Sequence, residues 1–415
     1  MFQGVLRKMS AAVLLLLGCQ GLLLFAMQLV SQRLGKSGYG RFGLAMSMSV
    51  FASQFIQWGM DQVLTVKFAR GSADDSRRLL GVLLRQKQVA AALALMAGAI
   101  VALSWGEADD RLLIFLGAAD GVCLAFTIPS LFDARGKTPT WQFYAFCRHS
   151  LYLGTLTLAG SFFPEQFTPL RVVEIHLLCI LPEVLMEQLW IYRNYGPPVW
   201  PAPTSEALTL WKAAAPMALA VLAQQVLFNS GLPIMRALDP KAETGGLYLS
   251  NQFTTAAASF VGAPAAILHA RLALHAHEGA AFRARVWKTA LPCAAAGLVV
   301  SLAYPVVTTW IVRHFFKSLA DSTPAILYVD TWRLAPIITA IPLSSALICQ
   351  GNLRGFAAAH VAAALIGITV AVTFAPEFGP RATSAGVAVG SCASLIFIAC
   401  LVLLDRREAD VERAP

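Results

Sequence analysis

The reading of one stretch, "AAVLLLLGCQGLLLFAMQLVSQRLGKSGYGRFGLAMSMSVFASQFIQWGM" (residues 11–60), decides the fold. Its first twenty residues are apolar, long enough for a helix to cross a hydrocarbon layer of roughly 30 Å. The segment Gln32 to Leu44 then brings three basic residues and four glycines before a second apolar run. A phosphate-binding loop would need a preceding strand and a G-x-x-x-x-G-K-[ST] pattern, and neither is present. The glycines instead suit a sharp reversal between two closely packed membrane spans.

The rest of the chain repeats this pattern. Of 415 residues, 57% are hydrophobic and 13% charged, against about 25% charged in an average soluble domain. Most of the chain is therefore read as dissolved in lipid. Twelve spans are expected, at 10–30, 42–63, 89–105, 111–132, 141–162, 170–190, 207–234, 245–268, 289–311, 324–349, 355–375 and 383–404. The fold class is an all-α integral membrane protein with two six-helix halves around a central cavity. The first run follows Arg7 and Lys8, but its length and the lack of an Ala-x-Ala site favour a retained helix over a cleaved signal. All eight cysteines lie in apolar runs without metal-ligand spacing, so no metal site is expected.

The net charge of +9 reads as orientation rather than nucleic-acid binding. With a cytoplasmic N-terminus, nineteen basic residues fall in inner segments and ten in outer ones. Both termini are then cytoplasmic. The chain divides into an N-terminal half (1–194), a proline-rich cytoplasmic linker (195–206), a C-terminal half (207–404) and a tail (405–415). The inner segments 64–88 and 269–288 are expected to lie along the membrane face as short amphipathic helices. The latter contains His275 and His277, for which a solvated role suffices.

The glycine segment has an echo. Gly38-Tyr39-Gly40 precedes the second span, and Gly245-Gly246-Leu247-Tyr248 precedes the eighth, each followed by a Ser/Ala/Thr-rich helix. Repeated halves are a common architecture of secondary transporters. The opening also resembles the polysaccharide transporter family, flippases of lipid-linked oligosaccharides in the superfamily of multidrug and toxic compound extruders and lipid II flippases. Leu34, Gly35, Tyr39, Gly40, Phe42 and Arg70 carry that resemblance, with Gly59-Met60-Asp61 at the end of the second span and Gly246, Leu247 and Tyr248 in the second half. It implies translocation of an undecaprenyl-diphosphate-linked oligosaccharide across the bacterial inner membrane. It also implies membrane lipids and polysaccharide polymerase or chain-length proteins as partners, and a monomeric, non-enzymatic protein.

Charge inside a span needs a partner or a water-filled cavity. Arg148 lies seven residues beyond Trp141, and Glu183 seven before Trp190. The two are expected to pair, or Arg148 to meet a substrate diphosphate together with Lys212, and both can hold at once. Arg333 and Asp330 form a local pair, three residues apart. Gln20, Gln28, Gln54, Gln224, Gln225 and Asn229 could read carbohydrate or bond helix to helix. Asp120 and Glu183 are candidates for coupling to a proton or sodium gradient; no bound cofactor is expected. Two other classes stay open: an exporter of small molecules and an integral membrane enzyme of polysaccharide assembly. The latter normally has a large outer loop, which this sequence lacks.

Overall fold

The computed structural model describes residues 2–105, 107–200, 204–239, 242–273 and 280–404, with fifteen α-helices among them. They are α1 (Phe2–Gln57), α2 (Met60–Arg70), α3 (Ala73–Ser104), α4 (Ala108–Ala125), α5 (Pro129–Ala134), α6 (Thr138–Phe162), α7 (Pro169–Tyr195) and α8 (Thr204–Asn229). There follow α9 (Gly231–Leu238), α10 (Gly245–Ala273), α11 (Ala280–Phe315), α12 (Thr323–Asp330), α13 (Leu334–Cys349), α14 (Leu353–Phe378) and α15 (Pro380–Leu404). Taking α1 as two segments, and joining α4 to α5, α8 to α9 and α12 to α13, these elements account for all twelve expected spans.

The chain forms two compact units, Met1–Ala218 and Leu219–Pro415, which divide within α8. In the N-terminal unit, α1 is unbroken in hydrogen bonding except where Gly35 leaves helical geometry at φ 66°, ψ −174°. Before Gly35 the chain ascends beside α6: Gly18 meets Phe146, and Arg33 approaches Gly160. Beyond it the chain follows α4, with Arg41 on Asp110, Ala45 against Gly117 and Ser49 against Gly121. Helices α4 and α6 both pack on α7 but run in opposite directions, so α1 reverses at Gly35. The reversal expected of the whole glycine segment is made at that one residue, while Gly38 and Gly40 are already helical and Tyr39 is fully buried.

Only glycine adopts such a backbone readily, and other residues there cost about 1–3 kcal/mol. Gly35→Ala is therefore expected to lower the thermal stability of the detergent-solubilised protein. Gly21→Ala, at a helical position with open space around it, leaves it unchanged or slightly raised. Equal melting of the two variants would refute the reversal at Gly35.

Helix packing relies on direct backbone approach. A Cβ on Gly117 would stand 2.2 Å from the Ala45 carbonyl oxygen, and one on Gly121 2.2 Å from that of Ser49. In lipid no hydrophobic force draws helices together, so such close contact is what binds α1 to α4. The C-terminal unit uses the same device: a Cβ on Gly386 of α15 would be 2.4 Å from the Gly367 oxygen of α14.

The expectation of inner-face amphipathic helices is corrected. Only 60–70 is a separate short helix; 73–88 is the start of α3, which runs unbroken for 32 residues, about 48 Å at 1.5 Å per residue. Ser72 starts it with a capping box. Its hydroxyl accepts from the Asp75 N–H, and the Asp75 carboxylate accepts from the Ser72 N–H at 2.9 Å. The latter bond, with help from the Ser72 hydroxyl, holds the Asp75 carboxyl below the ordinary carboxylate range. Residues 280–288 likewise open α11, and 274–279, with His275 and His277, lie outside the described residues.

The linker is fastened rather than free. Val199 N–H donates to the Arg77 carbonyl at 3.2 Å, and Arg78 pairs with Glu206. A Cβ on Gly81 would fall 2.1 Å from the Val199 oxygen, so the linker backbone lies directly on α3. Trp211 of α8 packs on Trp58 with ring centroids 4.8 Å apart. Leu210 and Ala214 join Met60, Leu64 and Leu83 in one core, which explains why the first half of α8 belongs to the N-terminal unit.

Candidate functional site

Within the N-terminal unit, α7 presents His176, Glu183 and Glu187 at spacings of seven and four, which place them on one helical face. Each meets a partner from another part of the N-terminal unit. His176 Nδ1 lies 2.7 Å from Asp120 Oδ1, and the Ser49 hydroxyl donates to Asp120 Oδ2 at 2.6 Å. Arg148 Nη1 lies 2.9 Å from Glu183 Oε2, and Arg148 Nη2 is 3.0 Å from His149 Nε2. Glu187 Oε2 accepts from the Ile128 N–H at 2.9 Å, in the gap between α4 and α5. The Tyr152 ring stands edge-on to His176 at 4.9 Å. Asp120, Glu183 and Glu187 are all buried.

Lys87 completes this polar file. Its place in an inner loop is corrected: the side chain is 1% exposed, and its ammonium donates to the carbonyls of Ala125 and Thr127 at 2.6 and 2.8 Å. The ammonium thus serves the last carbonyl of α4, at Ala125, and that of Thr127 in the turn beyond it, where helical partners are lacking. His176 was missed in the sequence. The available signal was its two-turn spacing from Glu183.

The other expected residues are dispersed. Lys212 is an exposed position near the start of α8, in the same compact unit as Arg148. Gln20, Gln28 and Gln224 are half-buried, and Gln54 donates to Gln57 at 3.3 Å. The side chains of Asp61 and Arg70 lie outside the described residues.

Gln225 and Asn229 belong to a second network, within the C-terminal unit. Asn229 donates to Gln225 Oε1 at 2.9 Å and accepts from Asn251 at 3.1 Å. Arg333 donates to Asn251 Oδ1 at 2.9 Å and lies 3.5 Å from Asp330. Asp330 also accepts from Ser250 and Thr254. Asn229 thus joins α8 to α10, whereas Gln225 is bonded within α8. In the echo segment, Gly246 packs against Ser322 and Thr323, and Tyr248 is buried. No group of three or more metal-ligating side chains occurs among the described residues.

No protein-family model and no curated protein matches the chain. Solved structures do. An inward-facing multidrug resistance MATE family transporter of the MOP superfamily superposes with a TM-score of 0.71, covering 95% of this chain and 96% of its own, at 12% identity. The chain has the MATE-type fold. The lipid II flippase MurJ, in an inward closed conformation, shares that fold at a TM-score of 0.63 and 11% identity over 93% of this chain and 87% of its own. A variant of the Vibrio cholerae MATE transporter VcmN gives 0.56 at 14% identity, covering 97% and 96%.

Proposed function

We propose that this chain is a multi-pass bacterial inner-membrane transporter that exports a small amphiphilic solute by alternating access, driven by proton entry into the N-terminal unit. The MATE-type fold supports the transport reading. The charge balance of the polar file supports the proton. Of the three buried acids Asp120, Glu183 and Glu187, only Glu183 contacts a guanidinium, that of Arg148, so the file holds more acids than fixed cations. Uncompensated charge at membrane depth costs several kcal/mol. A proton on His176 or on a carboxyl group neutralises it. The Asp120–His176 pair is the proposed entry point, because Ser49 of α1 and Tyr152 of α6 meet α4 and α7 there. Arg148, His149 and Glu183 are the next charged or titratable groups along that face.

The test is reconstitution into proteoliposomes carrying an internal pH indicator and an imposed pH gradient. Wild-type protein is expected to dissipate the gradient on addition of a transported amphiphile. Asp120→Asn and His176→Gln are expected to fold normally yet lower this response at least tenfold. A gradient response of Asp120→Asn equal to wild type would overturn the proton assignment.

A second reading has its own support in the opening motif from Leu34 to Arg70 and in the likeness to a lipid II flippase. It makes the solute an undecaprenyl-diphosphate-linked oligosaccharide, with both termini cytoplasmic and Lys212 among the residues that meet the diphosphate. Appearance of such a glycan at the outer leaflet of the same proteoliposomes, with no response to small amphiphiles, would favour this reading over the first.

A further inference from the structure

At the arginine-rich end of the N-terminal unit lies a groove of about 280 Å³ that takes no part in the polar file. Its walls include Leu80 and Leu84 of α3, Leu185, Leu189 and Tyr192 of α7, and Pro198 of the linker. Along one side it is continuous with the apolar exterior of α7, where Leu185 is 61% and Leu189 56% exposed. In a membrane-spanning helix that exterior meets lipid. Tyr192 and Trp200 are also exposed nearby, as aromatic residues are at a membrane border.

The opposite end is closed by the fastened linker and a cation. Arg77 Nε donates to the Pro197 carbonyl at 3.0 Å, and a Cβ on Gly196 would lie 3.6 Å from Nε. Gly196 lines the groove, so the guanidinium stands just beyond that end of it. Asp74, 3.4 Å from Arg77 Nη1, is itself almost fully exposed and compensates little of this charge.

Its lining is almost wholly apolar, which suits a segment of one hydrocarbon chain and offers few of the polar groups a glycan needs. An apolar slot open sideways to lipid and ended by a guanidinium matches an amphiphile with an anionic head. We propose that the groove binds one acyl chain of an anionic phospholipid from the leaflet at the arginine-rich end, with Arg77 holding its phosphate. This site does not depend on which solute the protein transports.

Quantitative lipid extraction from the purified full-length protein tests it. About one phosphatidylglycerol per chain is expected to survive exhaustive detergent washing. Leu189→Trp fills the groove from a lipid-facing position, so folding is preserved, and it should lower retained lipid at least fivefold. Leu158→Trp, on the exposed face of α6, should not. Arg77→Gln should abolish the preference for phosphatidylglycerol over phosphatidylcholine in thermal-shift titrations. Undiminished lipid in Leu189→Trp, no preference in the wild type, or retention of polyisoprenyl phosphate in place of phospholipid would each overturn the proposal.

Discussion

Replacing Arg148 by glutamine is expected to remove most of the folded protein from the membrane, and replacing Glu183 by glutamine as well is expected to restore much of it. Arg148 and Glu183 are 13% and 2% exposed in their side chains, and their charged atoms are 2.9 Å apart. Removing one member leaves the other charged in a site that excludes water, at a cost of about 3–5 kcal/mol. The double change leaves two neutral amides that can bond to each other, and the coupling appears as strong non-additivity. Membrane protein level by fluorescence-detected chromatography, for the two single variants and the double, measures it. The opposite pattern is a normal amount of Arg148→Gln protein, inactive in transport and not rescued by Glu183→Gln. It would assign Arg148 to the solute rather than to the helix pair.

Gly121→Val is expected to be comparably severe for a different reason. Its Cβ would overlap the Ser49 carbonyl oxygen at 2.2 Å and the Ala52 side chain at 2.9 Å. Backbone atoms cannot rotate away, so α1 and α4 must separate. Asp120 is the adjacent residue, so the bond from Ser49 to its carboxylate opens as well. Loss of monodisperse protein is expected, with Gly154→Val as the control, since nothing lies within 4 Å of a Cβ there. A monodisperse Gly121→Val protein with wild-type melting would show that the two backbones are not in contact.

The positions of the spans were legible because hydrophobicity and length are properties of each segment alone. The span read at 141–162 is α6, Thr138–Phe162, and the one read at 170–190 is α7, Pro169–Tyr195. The extension of α3 back to Ala73 was missed because charged residues from Arg77 to Lys87 end a hydrophobic run without ending a helix. The S-x-x-D pattern at Ser72 marked the true start. The polar site was legible only in part. Glu183 and Arg148 could be matched by equal depth from tryptophans at one border. The pairing of Asp120 with His176 joins residues 56 apart on helices whose rotation no periodicity fixes. Asn229 shows the same limit: an amide facing solute and an amide facing Asn251 look alike in sequence.

The polar face of α7 also bears on how the protein is made. Among the described residues eight helical segments are long and apolar enough to cross a membrane, and α6 and α7 are not among them. A charged group at the centre of a lone helix opposes release from the translocon by roughly 2.5–3.5 kcal/mol. Glu183 and Glu187 on α7, and Arg148 on α6, each carry such a charge. Helix α6 emerges from the ribosome first and would be held at the lateral gate until α7 arrives with the carboxylate for Arg148. The two would then partition into lipid as a hairpin with Arg148 and Glu183 paired, beside the already inserted α4 that offers Asp120 to His176. Biogenesis of this half is thereby an ordered event, in which one helix waits for the next.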